Sequence, residues 1–370
     1  MKPRQIPPYH LWSSVLGVLL VAAFYAFPRS VAASTSTAAP WVVLLAGATV
    51  LLMVLPTLIA LSRRTGHNLI HLALDGGGRP LAILVALASN AAIAASAGFS
   101  LRQAAELVVT ALYPHTPQTF AMSTMLIASA LGAAMAPANA FWLASLYVWP
   151  TLGSILLLLI GNVAWGQFRN VLPATGHGIL PTLQEVLPLT SHYSPLVLLF
   201  TFCGFLPSSQ RLVRSTVYSI VGATLTLSLV ILIYLMVFPL PAGLGIPFPL
   251  FEMSRLVQGG RFLERVDVIW IVVWTYGSVL RTGLVLMAGA HLFKEAFRLP
   301  DHRGAVLPLA VSTLAVALGP SNLATAIAGG TFFLRRAGFL IFFVLPLVVT
   351  LLAWFRRRKS HRRRGGESHA

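Results

Sequence analysis

Residues 267–291 read D-V-I-W-I-V-V-W-T-Y-G-S-V-L-R-T-G-L-V-L-M-A-G-A-H. The stretch is apolar and helical in character, with one acid at its start and one arginine, Arg281, well inside it. Trp270, Trp274, Gly277 and Arg281 step by 4, 3 and 4, which places them on one helix face. Arg281 lies 14 residues beyond Asp267, roughly 21 Å along a helix, so the two cannot pair on it. A run of this length spans a bilayer core of about 30 Å. Arg281 then sits near mid-membrane, where a charge costs several kcal/mol or more unless it is solvated or paired.

Outward from this stretch the same texture repeats. Residues 11–28, 41–61, 81–99, 119–138, 142–165, 195–207, 215–238, 304–320 and 337–355 are also apolar runs almost free of charge. Of 370 residues, 57% are apolar and 9% charged, against about 25% charged in a soluble domain. Too few charges remain to coat a water-facing surface, so the expectation is an all-α polytopic membrane protein with about ten transmembrane helices. The run 195–207 is short, as a broken or re-entrant helix would be. The first run lacks a small-residue cleavage site and flows into the second, so it reads as a retained span. A single transmembrane domain, 1–355, is followed by a basic tail, 356–370.

The charge of +17 is concentrated where it argues against nucleic acid. Arg356, Arg357, Arg358, Lys359, Arg362, Arg363 and Arg364 follow the last apolar run directly, the usual place for a cytoplasmic anchor at anionic headgroups. With ten spans and the amino terminus inside, 17 basic residues face the cytoplasm and 8 face outward; this excess favours both termini inside. Two long outer loops, Gln167 to Ser194 and Pro239 to Val266, are rich in Pro and Gly, and long loops are often functional.

Function classes narrow quickly. The nine acids, Asp75, Glu106, Glu185, Glu252, Glu264, Asp267, Glu295, Asp301 and Glu367, all lie in loops or at span ends. Arg281 must therefore be met by helix carbonyls, water, another subunit or an anionic ligand. No phosphate-binding loop, HExxH, CxxC or GxSxG occurs, the histidines are scattered, and the one cysteine, Cys203, sits in an apolar run. An enzyme, a metal site and a cofactor are not expected. Gly76-Gly77-Gly78 reads as a turn. Asn90 and Ser96 on the third run, Asn139 between the fourth and fifth, and Thr201 and Gly204 ahead of Pro207 are weaker polar signals. A Gly and a Pro in a short span suggest a broken helix whose free backbone groups hold an ion or substrate; such groups also simply bond their own helix or pack it.

A set of ordered markers adds a second line of argument. Residues 247–267 run from a proline-led amphipathic stretch into Phe262, Glu264, Arg265 and Asp267, followed by an apolar span carrying Trp274. Leu112-Tyr113-Pro114 with Thr116-Pro117 precedes the fourth span, Leu172-Pro173 and Gly178-Ile179-Leu180-Pro181 lie in the long outer loop, and Pro28 closes the first span. Together these resemble the spore germination B-type permease family. The resemblance implies the amino acid–polyamine–organocation transporter architecture, a five-plus-five inverted repeat with broken first and sixth spans. It also implies a nutrient-germinant receptor subunit sensing an amino acid, with an A-type membrane subunit and a C-type lipoprotein as partners in the spore inner membrane. The chain departs from the family pattern at Val21-Ala22-Ala23, at Leu199-Phe200-Thr201, at Pro137-Ala138-Asn139 and at Leu143. The expected ligand site lies between the first, third, sixth and eighth spans, near Ala22, Ala23, Asn90, Thr201, Gly204, Trp274 and Arg281. Glu264, Arg265 and Asp267 are read as a helix-start or partner-contact motif. A secondary amino acid or amine transporter and a non-binding structural subunit are the competing readings.

Overall fold

The computed structural model describes residues 5–63, 66–206, 209–257 and 266–367, and the regular elements among them are all helical. In chain order they are α1 (Pro8–Phe24), α2 (Phe27–Thr35), α3 (Ala39–Ser62), α4 (Leu69–Ala111), α5 (Gln118–Ala133), α6 (Pro137–Val163), α7 (Ile179–Gln184), α8 (Val186–Leu189) and α9 (Val197–Phe202). Then follow α10 (Ser209–Val237), α11 (Leu240–Gly243), α12 (Pro249–Leu256), α13 (Val266–Phe297), α14 (Arg303–Leu318), α15 (Leu323–Phe333) and α16 (Leu345–Glu367). Among the described residues seven helical stretches are long and apolar enough to cross a membrane, with α1 and α14 as shorter apolar helices. Most described residues of each apolar run are helical, with breaks at 25–26, 134–136 and 319–320. The chain is an integral membrane protein of helices.

The first span is broken. Proline at position 28 lacks an N–H, and its ring would strike the carbonyl of residue 24 if the helix continued. The helix accordingly stops at Phe24, Tyr25 turns to an extended ψ of −165°, and α2 starts anew with Pro28 in its first turn. Pro28 thus opens the second half rather than closing the first. At the break the Ala26 N–H is met by the Gln103 side-chain oxygen at 3.4 Å. The sixth span is also composite. It runs over 179–205 as α7, α8, a 3-10 segment Thr190–Leu196, α9 and a final 3-10 turn, well upstream of the short run 195–207.

Two sequence expectations change. Gly76-Gly77-Gly78 lies inside α4 as a kink, where Gly78 takes φ +73°, a value open to glycine, and Pro80 starts the next helical part. Arg335 and Arg336, expected in an outer loop, belong to one continuous helical stretch, Leu323–Arg358, with π-helical turns over 334–338 and 340–344. They stay helical because Arg335 has the Glu185 carboxylate 2.7 Å away and Arg336 lies over the Phe332 ring. The connection between α14 and α15 is therefore short, and Asn322 caps α15 through its side chain. Glu264, Arg265 and Phe262 lie outside the described residues; Asp267 is in the first turn of α13.

Helix α13 is the hub, packed against α4, α5, α6 and α14. Two small residues allow this. A Cβ on Gly283 would sit 2.9 Å from the Ser129 carbonyl oxygen of α5, and one on Gly289 would sit 2.8 Å from Asn90 Oδ1 of α4. Close backbone approach through glycine is how helices associate where lipid removes the hydrophobic drive. Below the break in the first span, Trp270 and Trp274 are fully buried and stack at 6.2 Å.

Candidate functional site

The break at Tyr25-Ala26 opens a small cleft of about 60 Å³. Its walls are the broken first span (Ala22, Tyr25, Ala26, Phe27, Ser30), α4 (Ser96, Phe99, Ser100, Gln103), His192 of the 3-10 segment, Arg281 of α13, and Ile327, Gly330, Thr331 and Leu334 of the last long helix. Each wall follows from local sequence. Pro28 forces the break, Gly330 of α15 lies against the Phe99 ring, and serines at 96 and 100 replace bulk on the face of α4 that turns inward.

Arg281 is the one arginine or lysine among the described residues of the cleft wall. Its Nη1 donates to the Val18 carbonyl of α1 at 2.9 Å. It forms no ion pair among the described residues, its guanidinium carries five donors, and the residue borders both the cleft and a smaller void beside it lined by Ser194, Pro195 and Thr282. The serine hydroxyls donate within their own helix, Ser96 to Ile93 and Ser100 to Ser96, so their remaining lone pairs are acceptors. On the other side of the break, Tyr25 packs edge-on to Trp274 at 6.2 Å. The Tyr25 hydroxyl, the Tyr147 hydroxyl and Trp274 Nε1 are buried with no hydrogen-bond partner among the described residues. Buried polar groups are normally paired; of these three, the Tyr25 side chain belongs to the cleft wall.

A wider open groove of about 640 Å³ lies beside the cleft and shares Ser30, Ile327 and Thr331 with it. Its wall carries Arg29, whose Nε donates to the Leu244 carbonyl at 2.6 Å, and Arg335, paired to Glu185. Three arginines thus mark the way from the groove to the centre, a field that favours an anionic group.

Of the residues expected at the ligand site, the cleft brings together Ala22 and Arg281; Ser96, noted only as a weaker polar signal, lines it as well. The others lie apart from its wall. Ala23 is fully buried in the core. Asn90 donates to Ala86 and to Gly289, tying α4 to α13. Thr201 bonds Val197 in its own helix. Gly204 lies against Gly66, where a Cβ would come within 3.0 Å of the Gly66 backbone. Trp274 supports Tyr25 from behind. Asn139 borders a separate pocket with His10 and Trp142. Sequence reading missed Tyr25, Gln103, His192 and the Gly330-Thr331 wall. The i−4 clash implied by Pro28 was the available signal for Tyr25. Among the described residues no group of three His, Cys, Asp or Glu side chains is placed to hold a metal ion.

The helix arrangement is that of known transporters. It is similar to Mhp1, a nucleobase-cation-symport-1 family transporter seen closed with bromovinylhydantoin bound, at a TM-score of 0.64 and 13% identity over 96% of this chain and 92% of that one. It is also similar to the Eremococcus coleocola manganese transporter, at a TM-score of 0.52 and 12% identity over 93% of this chain and 76% of that one. In sequence it is 21% identical to spore germination protein KB of Bacillus subtilis over 280 residues, 72% of this chain and 74% of that protein. Residues 5–323 match the pattern of the spore germination protein family, and the chain belongs to that family.

Proposed function

We propose that this chain is the ligand-sensing membrane subunit of a spore nutrient-germinant receptor, binding a small molecule, an amino acid, in the cleft at the break of the first span. The observation that carries the reading is Arg281, a cation without a carboxylate partner among the described residues, in a polar cleft reached from an arginine-lined groove. A ligand carboxylate meets the guanidinium there, while the hydroxyls of Ser96 and Ser100 and the amide of Gln103 meet polar parts of the rest. Ten spans in a five-plus-five inverted repeat, both termini cytoplasmic, fit the ten apolar runs and the charge distribution. Binding shifts the balance between conformations and is passed to an A-type membrane subunit and a C-type lipoprotein in the spore inner membrane. Glu264, Arg265 and Asp267 are assigned to helix positioning or partner contact.

The test is the heat stability of the detergent-purified protein across an amino-acid and nucleoside panel, with and without sodium. A ligand at a hundredfold excess over its Kd adds about 2.7 kcal/mol. A hit lost in Arg281→Ala supports the reading; a flat panel from folded protein points instead to a structural subunit. The transporter-like fold favours a second reading, a secondary amino acid or amine transporter. Concentrative uptake into proteoliposomes under an ion gradient distinguishes it.

A further inference from the structure

At the end of the bundle that carries the arginine-rich tail, α3 and α16 run together, joined by a hydrogen bond between the Thr350 and Thr57 hydroxyls at 3.1 Å. Beside this bond lies an open groove of about 420 Å³. Its walls are apolar, with Ile59, Ala60, Leu351 and Trp354, and its mouth holds Arg63 and Arg357. Trp354 is 45% exposed and carries the Arg358 guanidinium 4.0 Å over its ring. Arg63, Arg356, Arg357 and Arg358 are all exposed. The acid paired with this group is Asp75, 3.1 Å from Arg357.

We propose that this groove is a binding site for one anionic diacyl phospholipid. The chemistry divides along the groove as a lipid does. Exposed Ile59 and Leu351 offer an apolar track for an acyl chain, and tryptophan is the residue that favours the headgroup level. Above it stand arginines, whose forked guanidinium suits phosphate. Among the described residues, four exposed arginines against one nearby aspartate give a net positive mouth, complementary to a negative headgroup. Basic pockets between membrane helices bind anionic headgroups by this combination. A partner helix would instead need acids to meet the arginines and a groove closed to lipid. The site lies apart from the cleft at the first-span break and is independent of what binds there.

The experiment is native mass spectrometry of the full chain in detergent, titrated with phosphatidylglycerol, with phosphatidylcholine and with inorganic phosphate. Retained phosphatidylglycerol, with the other two weak, is the expected result. Arg63→Gln should weaken retention about fivefold, the worth of one arginine near an anionic surface. Ala60→Trp, which fills the groove without altering charge, should abolish it. A chain ending at Arg358, which removes the remaining basic tail, should keep it. Should Ala60→Trp not fold, the exposed Arg63→Gln still reads out the site. Retention unchanged in both groove variants, or lost on shortening the tail, shows diffuse binding by the tail and overturns the proposal. Equal retention of phosphatidylcholine, competition by inorganic phosphate, or a change in oligomeric state with lipid retention intact overturns it as well.

Discussion

Arg281 of α13 donates a 2.9 Å hydrogen bond to the carbonyl of Val18 in α1, 263 residues earlier in the chain. This bond ties the broken first span to the hub helix less than two turns from the break. It also satisfies only part of a guanidinium that has no acid beside it among the described residues. On the proposed reading structural and ligand-binding duties meet in this one side chain, and variants can separate them. Arg281→Lys keeps the charge and an ammonium donor but loses the planar fork; Arg281→Ala loses charge and donors alike. We expect Arg281→Ala to abolish the ligand-induced heat shift and to cost about 1–3 kcal/mol of stability. Arg281→Lys should recover most of the stability while binding ligand more weakly. Melting curves with and without ligand report both quantities.

Asn90 should behave differently. Its amide donates to Ala86 at 2.8 Å and to Gly289 at 3.1 Å, so its work is to hold α4 against α13. Asn90→Ala is expected to cost about 1 kcal/mol, the scale of an interhelical bond in a membrane, and to leave ligand affinity unchanged. A loss of affinity without a loss of stability would return Asn90 to the ligand site.

The Arg335–Glu185 pair joins the last long helix to α7–α8 beside the outer groove, with both side chains partly exposed. Opposing salt dependence is the expected signature. Glu185→Gln frees Arg335 to attract anions, so a carboxylate ligand should associate faster, and the gain should fade as salt screens it. Exchanging the two residues, Glu185→Arg with Arg335→Glu, should restore the wild-type rate if the pair itself sets access. Stopped-flow binding at low and high ionic strength measures this.

A pH dependence is expected from the turn before α14. Burial holds the His302 imidazole below its usual 6.5, against the pull of the Asp301 carboxylate 3.0 Å from Nδ1. The His291 ring stacks on it at 4.1 Å, and Lys294 adds a further repulsion. Below pH 6.5 the unfolded chain binds a proton that the folded chain refuses until lower pH. Folded stability therefore falls as pH drops through that window. The melting temperature should be lower at about pH 5 than at about pH 7.5, and His302→Gln should flatten that slope. An unchanged slope in the variant would move the effect to another group.

Much of the fold was legible because lipid imposes a simple grammar: helices long enough to span, few charges, basic ends. Arg281 stood out because it violated that grammar, and it is the sequence candidate that reached the cleft with Ala22. Asn90 and Thr201 violated it too, more mildly. A sequence does not say whether an amide or hydroxyl bonds its own helix, a neighbour or a ligand. Here Thr201 does the first and Asn90 the first two. Arg335 and Arg336 looked like a loop because charges ended the apolar run. Glu185, 150 residues away, and the Phe332 ring let the helix continue through them. Gln103 gave no local sign of its role, since its partner, the Ala26 N–H, is freed only when the first span breaks.

The glycines of α13 divide the molecule into stationary and moving parts. With the Ser129 carbonyl against Gly283 and Asn90 against Gly289, α13 has no clearance to slide along α4 or α5 without a collision of backbone or of a bonded amide. These three helices form a frame. The first span is jointed at Tyr25-Ala26 and fastened to the frame by the side chains of Arg281 and Gln103. Side-chain hydrogen bonds exchange partners at far lower cost than packed glycines part. On the proposed reading, a ligand that engages Arg281 loosens α1 and one that engages Gln103 frees the amide at the joint, so the two halves of the first span are released separately from a fixed frame.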